Sequence, residues 1–278
     1  MQSGNYGNIR DMKSFLKQNF KNKKVFITGH TGFKGAWLVK ILSLLGAEIR
    51  AYSLSPAYEN SLFENLALAT CCESIEADIC DEKYLEESLL SFQPDYVFHL
   101  AAQALVRPSY DNPLQTFTTN AIGTANVLNA LRKLKKACVS IIITTDKVYK
   151  NNEWVYPYRE EDHLGGYDPY SASKACSEII IDSYRNSFFN KNKYAVHQQA
   201  IFSVRAGNVI GGGDWAVDRL VPDIIRAWSS GEKVILRNPT AVRPWQHVFE
   251  PLLAYLIIAA KGKENYLSMS NEYNIGPK

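Results

Sequence analysis

The chain has 278 residues, a formal charge of +3, 46% hydrophobic residues and 21% charged residues. Such a composition is that of a soluble globular protein, long enough for one large α/β domain with a smaller appendage. The weak positive balance argues against nucleic acid and membrane as partners and remains compatible with a local anion site.

Met1 to Arg10 is polar and glycine-containing, and a loosely ordered start is expected. Val25-Phe26-Ile27-Thr28 is β-branched and aromatic, which fits a buried strand. Gly29-His30-Thr31-Gly32-Phe33-Lys34-Gly35 follows, with glycines spaced three and three. Trp37, Leu38, Ile41, Leu42 and Leu45 recur with helical period, and Gly46 stands where a helix is closed. A glycine turn between strand and helix lets backbone approach a pyrophosphate, whose charge the helix start favours. A dinucleotide site is therefore read here in preference to a plain tight turn. The second strand, Glu48 to Tyr52, ends in Ser53-Leu54-Ser55 and offers no ribose acid at the usual place. Glu48 comes too early. Arg50 is either a partner for a 2′-phosphate or a solvated edge residue, so NAD and NADP stay open at this position.

Ser55 to Thr70 is a mixed segment without a clean period. Ile75 to Ile79 reads as a third strand carrying Asp78, either an adenine contact or a turn carboxylate. Asp81 suits the N-cap of a helix through Phe92, which Pro94 ends. Tyr96 to Leu100 is a fourth strand, with the small Ala101-Ala102-Gln103 at its tip and His99 facing the core. Asn112 to Leu134 has helical period interrupted by Asn120, a candidate buried amide bridging loops. Ser140 to Thr144 is a continuous β-branched strand opening onto Thr145-Asp146-Lys147. Tyr170 and Lys174 lead a helix toward Phe189, and Ile201 to Arg205 is a further strand. Beyond Gly211 the texture changes: a glycine loop, a helix from Arg219 to Trp228, a short strand Val234 to Leu236, and extended Arg243-Pro244-Trp245. The alternation implies a doubly wound parallel sheet. Residues 1–205 with 245–262 are assigned to the nucleotide domain, and 206–244 with 263–278 to a smaller lobe.

Cys71, Cys72, Cys80, Cys138 and Cys176 are odd in number and lack metal-like spacing. They are read as free thiols of a reducing cytoplasm, and no metal is expected. No signal peptide is seen, and Leu252 to Ala260, the longest apolar run, has the length of a core helix.

Tyr170 and Lys174, four apart, share one helix face. A phenol of reference pKa about 10 becomes a base at neutral pH only after lowering by roughly three units, about 4 kcal/mol. A nearby ammonium and an oxidised nicotinamide are the groups able to supply that. With the glycine turn upstream, the pair points to hydride chemistry on a hydroxyl.

Together Gly29, Gly32, Gly35, Ala101-Ala102, Tyr170 and Lys174 resemble the extended short-chain dehydrogenase/reductase family, over nearly the whole chain. Thr145-Asp146-Lys147 resembles the active-site segment of its nucleotide-sugar 4,6-dehydratases, most of which carry Thr-Asp-Glu. The lysine, the Gly29–Gly35 string, Gly207 to Trp215 and Arg243 to Val248 are similar to the CDP-glucose-specific members. The resemblance implies a Rossmann fold and bound NAD, held by Gly29, Thr31, Gly32, Phe33, Lys34 and Gly35, by Ser53, Asp78 and Ile79, and by Leu100, Ala101, Ala102, Gln103 and Asn120, with Tyr170 and Lys174. It implies that Thr145 bonds the oxidised hydroxyl, Tyr170 is its base, and Asp146 is the acid on the leaving 6-hydroxyl. Lys147 either moves the proton at carbon 5 as a neutral amine or only stabilises the enolate. Asn208, Arg219, Arg243 and Asn274 match nucleotide- and diphosphate-contacting positions; without the resemblance the arginines read as surface ion pairs. The implied reaction is redox-neutral loss of water from CDP-glucose to a 4-keto-6-deoxy sugar, for deoxysugar and surface-polysaccharide (O-antigen) synthesis, in a homo-oligomer. The alternatives are an epimerase or reductase on the same scaffold, or a non-catalytic NAD-binding protein. Relatives usually continue for several tens of residues beyond the position of Lys278, so the lobe is expected to be incomplete.

Overall fold

A computed structural model describes residues 9–59, 61–236 and 239–277 of the protein. The expectation for the first ten residues falls mostly outside them. The strands are β1 (Lys24–Thr28), β2 (Glu48–Ser53), β3 (Glu73–Glu76), β4 (Tyr96–His99), β5 (Cys138–Thr145), β6 (Gln199–Ala206), β7 (Val209–Ile210), β8 (Gln246–His247) and β9 (Glu272–Ile275). Seven of them form one sheet in the order β3-β2-β1-β4-β5-β6-β9, every pair parallel. The order reverses direction between β1 and β4, which opens a crevice at their carboxyl ends. β7 and β8 pair as a separate two-stranded ribbon.

Strand alternation builds a core on each face. Val25, Ile27, Phe98, Ile141, Ile143, Phe202 and Val204 point one way, onto the helices Ile9–Phe20, Phe33–Leu45 and Phe249–Asn265. Phe26, Val97, Ile142 and Ile201 point the other way, onto Glu82–Phe92, Gly123–Lys133 and Pro169–Ser187. All eight residues of β5 and of β6 are buried, as expected of central strands covered on both faces, including the polar Thr144, Ser203 and Arg205. Among the described residues, no helix is long and apolar enough to cross a membrane.

Several expectations are corrected. The third strand spans Glu73–Glu76, not Ile75 to Ile79; its ladder stops where β2 stops, at the pair Ser53 and Glu76, leaving Asp78 in the turn beyond. Val234-Ile235-Leu236 forms no strand, because among the described residues no strand pairs with it. The last described segment contributes β9, residues 272–275, to the main sheet beside β6. The helix Ile9–Phe20, which the polar start concealed, buries Leu16 and Phe20. The long helix after Asn112 is broken into Pro113–Phe117, a wide π turn at Thr118–Ile122, and Gly123–Lys133, with Asn120 in the wide turn.

Candidate active site

A cleft of about 990 Å³ lies over the carboxyl ends of β1, β2, β4, β5 and β6. Its floor is the glycine turn. Gly29 has φ +77°, and a Cβ there would lie 2.5 Å from the backbone nitrogen of Ala101. A Cβ on Gly35 would lie 2.1 Å from the carbonyl oxygen of Gly29. These positions need glycine because the helix is pressed against the strand end. Gly32 is the N-cap of the helix Phe33–Leu45 and supplies no side-chain cap, so the first N–H groups face the cleft unclaimed by side chains. That cradle fits a dinucleotide pyrophosphate.

The walls carry most of the expected cofactor set. Gly29, Thr31, Gly32, Phe33, Lys34, Gly35, Ser53, Asp78, Ile79 and Leu100 to Gln103 all line the cleft. Thr31 Oγ1 shares a hydrogen bond of 2.9 Å with Ser53 Oγ and donates to the Leu54 carbonyl. Asp78 keeps its turn role as well, accepting from the amide of Cys80. Asn120 is the exception. Its fully buried amide accepts from Gln103 N and donates to Gln103 O and Ser173 Oγ, at 2.8–3.0 Å. It shapes the 101–103 wall from behind and does not line the cleft, since all its polar atoms are spent on the protein. Arg50 donates to Glu73, to the Ser88 carbonyl and to Ser91, and stacks over Phe92, so its guanidinium is anchored on the helix side and is no 2′-phosphate partner. His99 is the structural histidine expected, held between Thr28 Oγ1 and Thr124 Oγ1; burial lowers its pKa to about 3.

The reactive groups gather where β5 ends. Thr145 is its last residue, and a 3-10 turn follows at Asp146–Val148. That turn lets neighbours, which would point oppositely in a strand, meet. Lys147 Nζ lies 2.8 Å from Asp146 Oδ1 and 3.1 Å from Asn208 Oδ1. Thr145 Oγ1 donates to the same Asp146 oxygen at 3.0 Å. Tyr170 and Lys174 come in on the helix Pro169–Ser187, capped by Asp168. Burial pushes the Tyr170 phenol up, opposed by its hydrogen bond with Thr145. Burial lowers Lys174 to about 8, with Glu178 opposing, and its Nζ donates to the Ile143 carbonyl at 3.2 Å. The lowered phenol anticipated from a neighbouring lysine is therefore not produced by the chain alone. Lys34 is also lowered to about 8, by burial and then by the Arg219 charge.

Asn208, Arg219 and Arg243 line the lobe side of the cleft. Arg219 is steadied by Asp214 at 2.8 Å. Asn274 does not line it: its side chain accepts from the Tyr149 hydroxyl and donates to the Tyr158 carbonyl. Asn274 on β9 thus serves the packing between loop and sheet. Sequence reasoning missed Glu178 and Arg205, a buried pair just beneath the site. The available signal was Glu178 recurring four residues after Lys174 on the same helix face.

The chain matches the GDP-mannose 4,6 dehydratase family over residues 26–277. It is 47% identical over 264 residues to CDP-glucose 4,6-dehydratase of Salmonella typhimurium, covering 95% of this chain and 74% of that protein. A probable dTDP-glucose 4,6-dehydratase of Sinorhizobium fredii is 26% identical, covering 91% and 71%. The UDP-glucose 4-epimerase structure from Thermotoga maritima, solved with UDP-glucose, superposes with a TM-score of 0.77 at 26% identity, covering 91% and 76%. The dTDP-glucose 4,6-dehydratase DesIV from Streptomyces venezuelae, solved with NAD and TYD bound, superposes at 0.75 with 21% identity, covering 91% and 75%, a likeness of fold. With the glycine cradle, the Tyr170–Lys174 helix and the Thr145-Asp146-Lys147 turn in one cleft, the chain belongs to the GDP-mannose 4,6 dehydratase family of extended short-chain dehydrogenases/reductases.

Proposed function

We propose that the protein is an NAD-dependent CDP-glucose 4,6-dehydratase, converting CDP-glucose to the 4-keto-6-deoxy sugar nucleotide and water. The observation that carries this is the 47% identity to the Salmonella enzyme across 95% of the chain. It is supported by the acid and the lysine of residues 146 and 147 meeting beside Tyr170. Simple hydride transfer needs no such acid; elimination does.

Bound NAD would supply the hydride acceptor for carbon 4 and the hydride donor for carbon 6. The glycine turn and the helix start at Gly32 hold its pyrophosphate, and the wall 101–103 packs along it. Thr145 bonds the 4-hydroxyl, and Tyr170 accepts its proton. Asp146 and Lys147 act as one proton-sharing unit. Moving one proton from Lys147 Nζ to Asp146 gives an amine and a carboxylic acid. The amine of Lys147 takes the carbon 5 proton, the acid of Asp146 protonates the leaving 6-hydroxyl, and water departs. Lys147 then returns its proton to carbon 5. Tyr170 is left with one extra proton and Asp146 with one fewer. The hydrogen-bonded path Tyr170–Thr145–Asp146 restores both. Asn208, Arg219 and Arg243 bind the diphosphate, for which the arginine fork is suited.

Residues 206–244 form the substrate lobe. The assembly is a homo-oligomer, dimer or tetramer, supported by exposed Leu114, Ile122 and Ile179 on helices flanking the sheet. A cytoplasmic site of action is supported by five free cysteines. Incubation with NAD and CDP-glucose, dTDP-glucose or GDP-mannose tests the reading. A 4-keto product, seen by its absorbance in alkali, is expected from CDP-glucose. Conversion of CDP-glucose to an epimer without that chromophore overturns it.

A further inference from the structure

One buried carboxylate lies under the site without touching the cleft. Glu178 and Arg205 are 2 and 4% exposed and meet at 2.9 Å. The carboxylate is fully engaged. Oε1 accepts from Thr144 Oγ1, and Oε2 accepts from Ser203 Oγ and Arg205 Nη2 at 2.9 Å. Thr144, Ser203 and Arg205 are adjacent-strand positions pointing to the same sheet face, toward the helix Pro169–Ser187. That helix grips β5 twice in succession, through Lys174 on the Ile143 carbonyl and through Glu178 on the Thr144 hydroxyl. The next residue along β5 is Thr145.

Arg205 extends the network past the reactive turn. Its Nη1 donates to the Tyr149 hydroxyl and to the Glu160 carbonyl, both at 2.7 Å. Tyr149 follows the turn Asp146–Val148 directly and donates to Asn274 on β9. One ion pair thus ties the catalytic helix, the end of β5, the segment after Lys147 and the sheet edge.

We propose that Glu178, anchored by Arg205, is a positioning residue of the dehydration reaction: it sets the register between Tyr170 and Lys174 on their helix and Thr145 at the end of β5. Tyr170, Lys174 and Glu178 follow each other at one-turn steps on one helix face. The charged and titratable groups around Lys174 are Tyr170 and Glu178 on its own helix, His99 from β4, and Lys34 from the glycine turn; Arg205 on β6 stands behind Glu178. Glu178 is the anion that raises Lys174 against its burial. Removing the charge lets Lys174 lose its proton at lower pH, and the phenolate of Tyr170 loses its partner there.

The inference rests on the dehydratase reading. The parent protein is therefore assayed first, and absence of 4-keto product from CDP-glucose fails that reading alone. Three variants then follow, each with its melting temperature, NAD affinity and pH profile of kcat. Glu178→Gln leaves Arg205 buried without a counterion and is expected to lower stability. The double variant Glu178→Met/Arg205→Met replaces the pair by apolar bulk and is expected to melt near the parent, as buried ion pairs often tolerate. In both, the alkaline limb of kcat moves to lower pH by about one unit or more, since an opposite charge was lost from the lysine's surroundings. Glu178→Asp keeps the carboxylate and is expected to keep the parent limb while kcat falls. A well-folded double variant with the parent kcat and the parent limb overturns the proposal, as does an Asp variant whose limb moves like that of Gln.

Discussion

Gly35→Ala tests whether close approach of helix and strand end is what makes the cofactor cradle. The added Cβ would stand 2.1 Å from the Gly29 carbonyl oxygen, 2.8 Å from His30 Cα and 2.9 Å from the Gly29 carbonyl carbon. All three are backbone atoms, so no side chain can swing aside. Reaching even 3.0 Å requires the helix Phe33–Leu45 to retreat by about 0.9 Å from the 2.1 Å contact. That helix is packed through Ala36, Leu38, Val39 and Leu42, all fully buried. Such overpacking costs about 1–3 kcal/mol, a drop in Tm of roughly 2–4 °C for each kcal/mol in a domain of this size class. The helix N-terminus withdraws from the pyrophosphate as well. Losing one charge-assisted hydrogen bond, worth about 1.5–3 kcal/mol, weakens NAD by roughly ten- to a hundredfold. Titration of NAD by intrinsic fluorescence and a thermal melt read both effects. Gly212→Ala is the control, because a Cβ there meets nothing within 4 Å. Parent NAD affinity with a Tm within a degree of the parent would falsify the cradle argument.

Tyr170→Phe removes the proton acceptor for the 4-hydroxyl and should abolish turnover with NAD affinity kept; a loss of only a few-fold assigns the oxidation step to another group. Lys147→Ala and Asp146→Asn break the proton-sharing pair and should leave the first oxidation intact. Given substrate, each should accumulate nicotinamide absorbance without releasing product, and parent-rate turnover by Lys147→Ala makes that lysine structural. Acid should destabilise the fold through two buried histidines. His99 is lowered to about 3 and His30 to about 4, both by burial, against 6.5 when unfolded. In the window from pH 6.5 to about 4 the unfolded chain binds protons that the folded one does not, so stability falls as pH falls. Between pH 6.5 and 5 the loss is about 2 kcal/mol for each histidine; a Tm constant over that range contradicts it.

The cofactor half was legible because its signals are local. Glycines three apart between an apolar run and a helical period state a strand, a turn and a helix within about twenty residues, and Tyr170 with Lys174 needs only helical spacing. What was illegible depends on partners far along the chain. Arg205 shows neither its burial nor its mate, since Glu178 comes 27 residues earlier on another element. Nothing near Asn274 in sequence shows that Tyr149, 125 residues away, claims its oxygen. Ile75 to Ile79 carries a strand-like pattern past the point where β2 can pair with it. Val234-Ile235-Leu236 has strand composition and, among the described residues, no strand to pair with. In each case pairing geometry overrode propensity.

The ribbon of β7 and β8 makes the lobe an excursion with a closed base. Val209 pairs with Gln246 and Ile210 with His247, so the chain leaves and re-enters the nucleotide half at one gate. The entropy of closing so long a loop is met at that gate and rises only slowly with its length. Outside that gate the segment between the two strands is tied to the rest of the molecule by few polar contacts, among them Trp37 Nε1 on the Gly212 carbonyl and Arg107 with Asp218. Arg219 and Arg243 both lie inside the gate, whereas Tyr170, Lys174 and the glycine turn lie outside it. If the arginines inside the gate hold the substrate, grafting a different excursion between Ile210 and Gln246 should redirect which sugar nucleotide is held and leave the hydride chemistry in place.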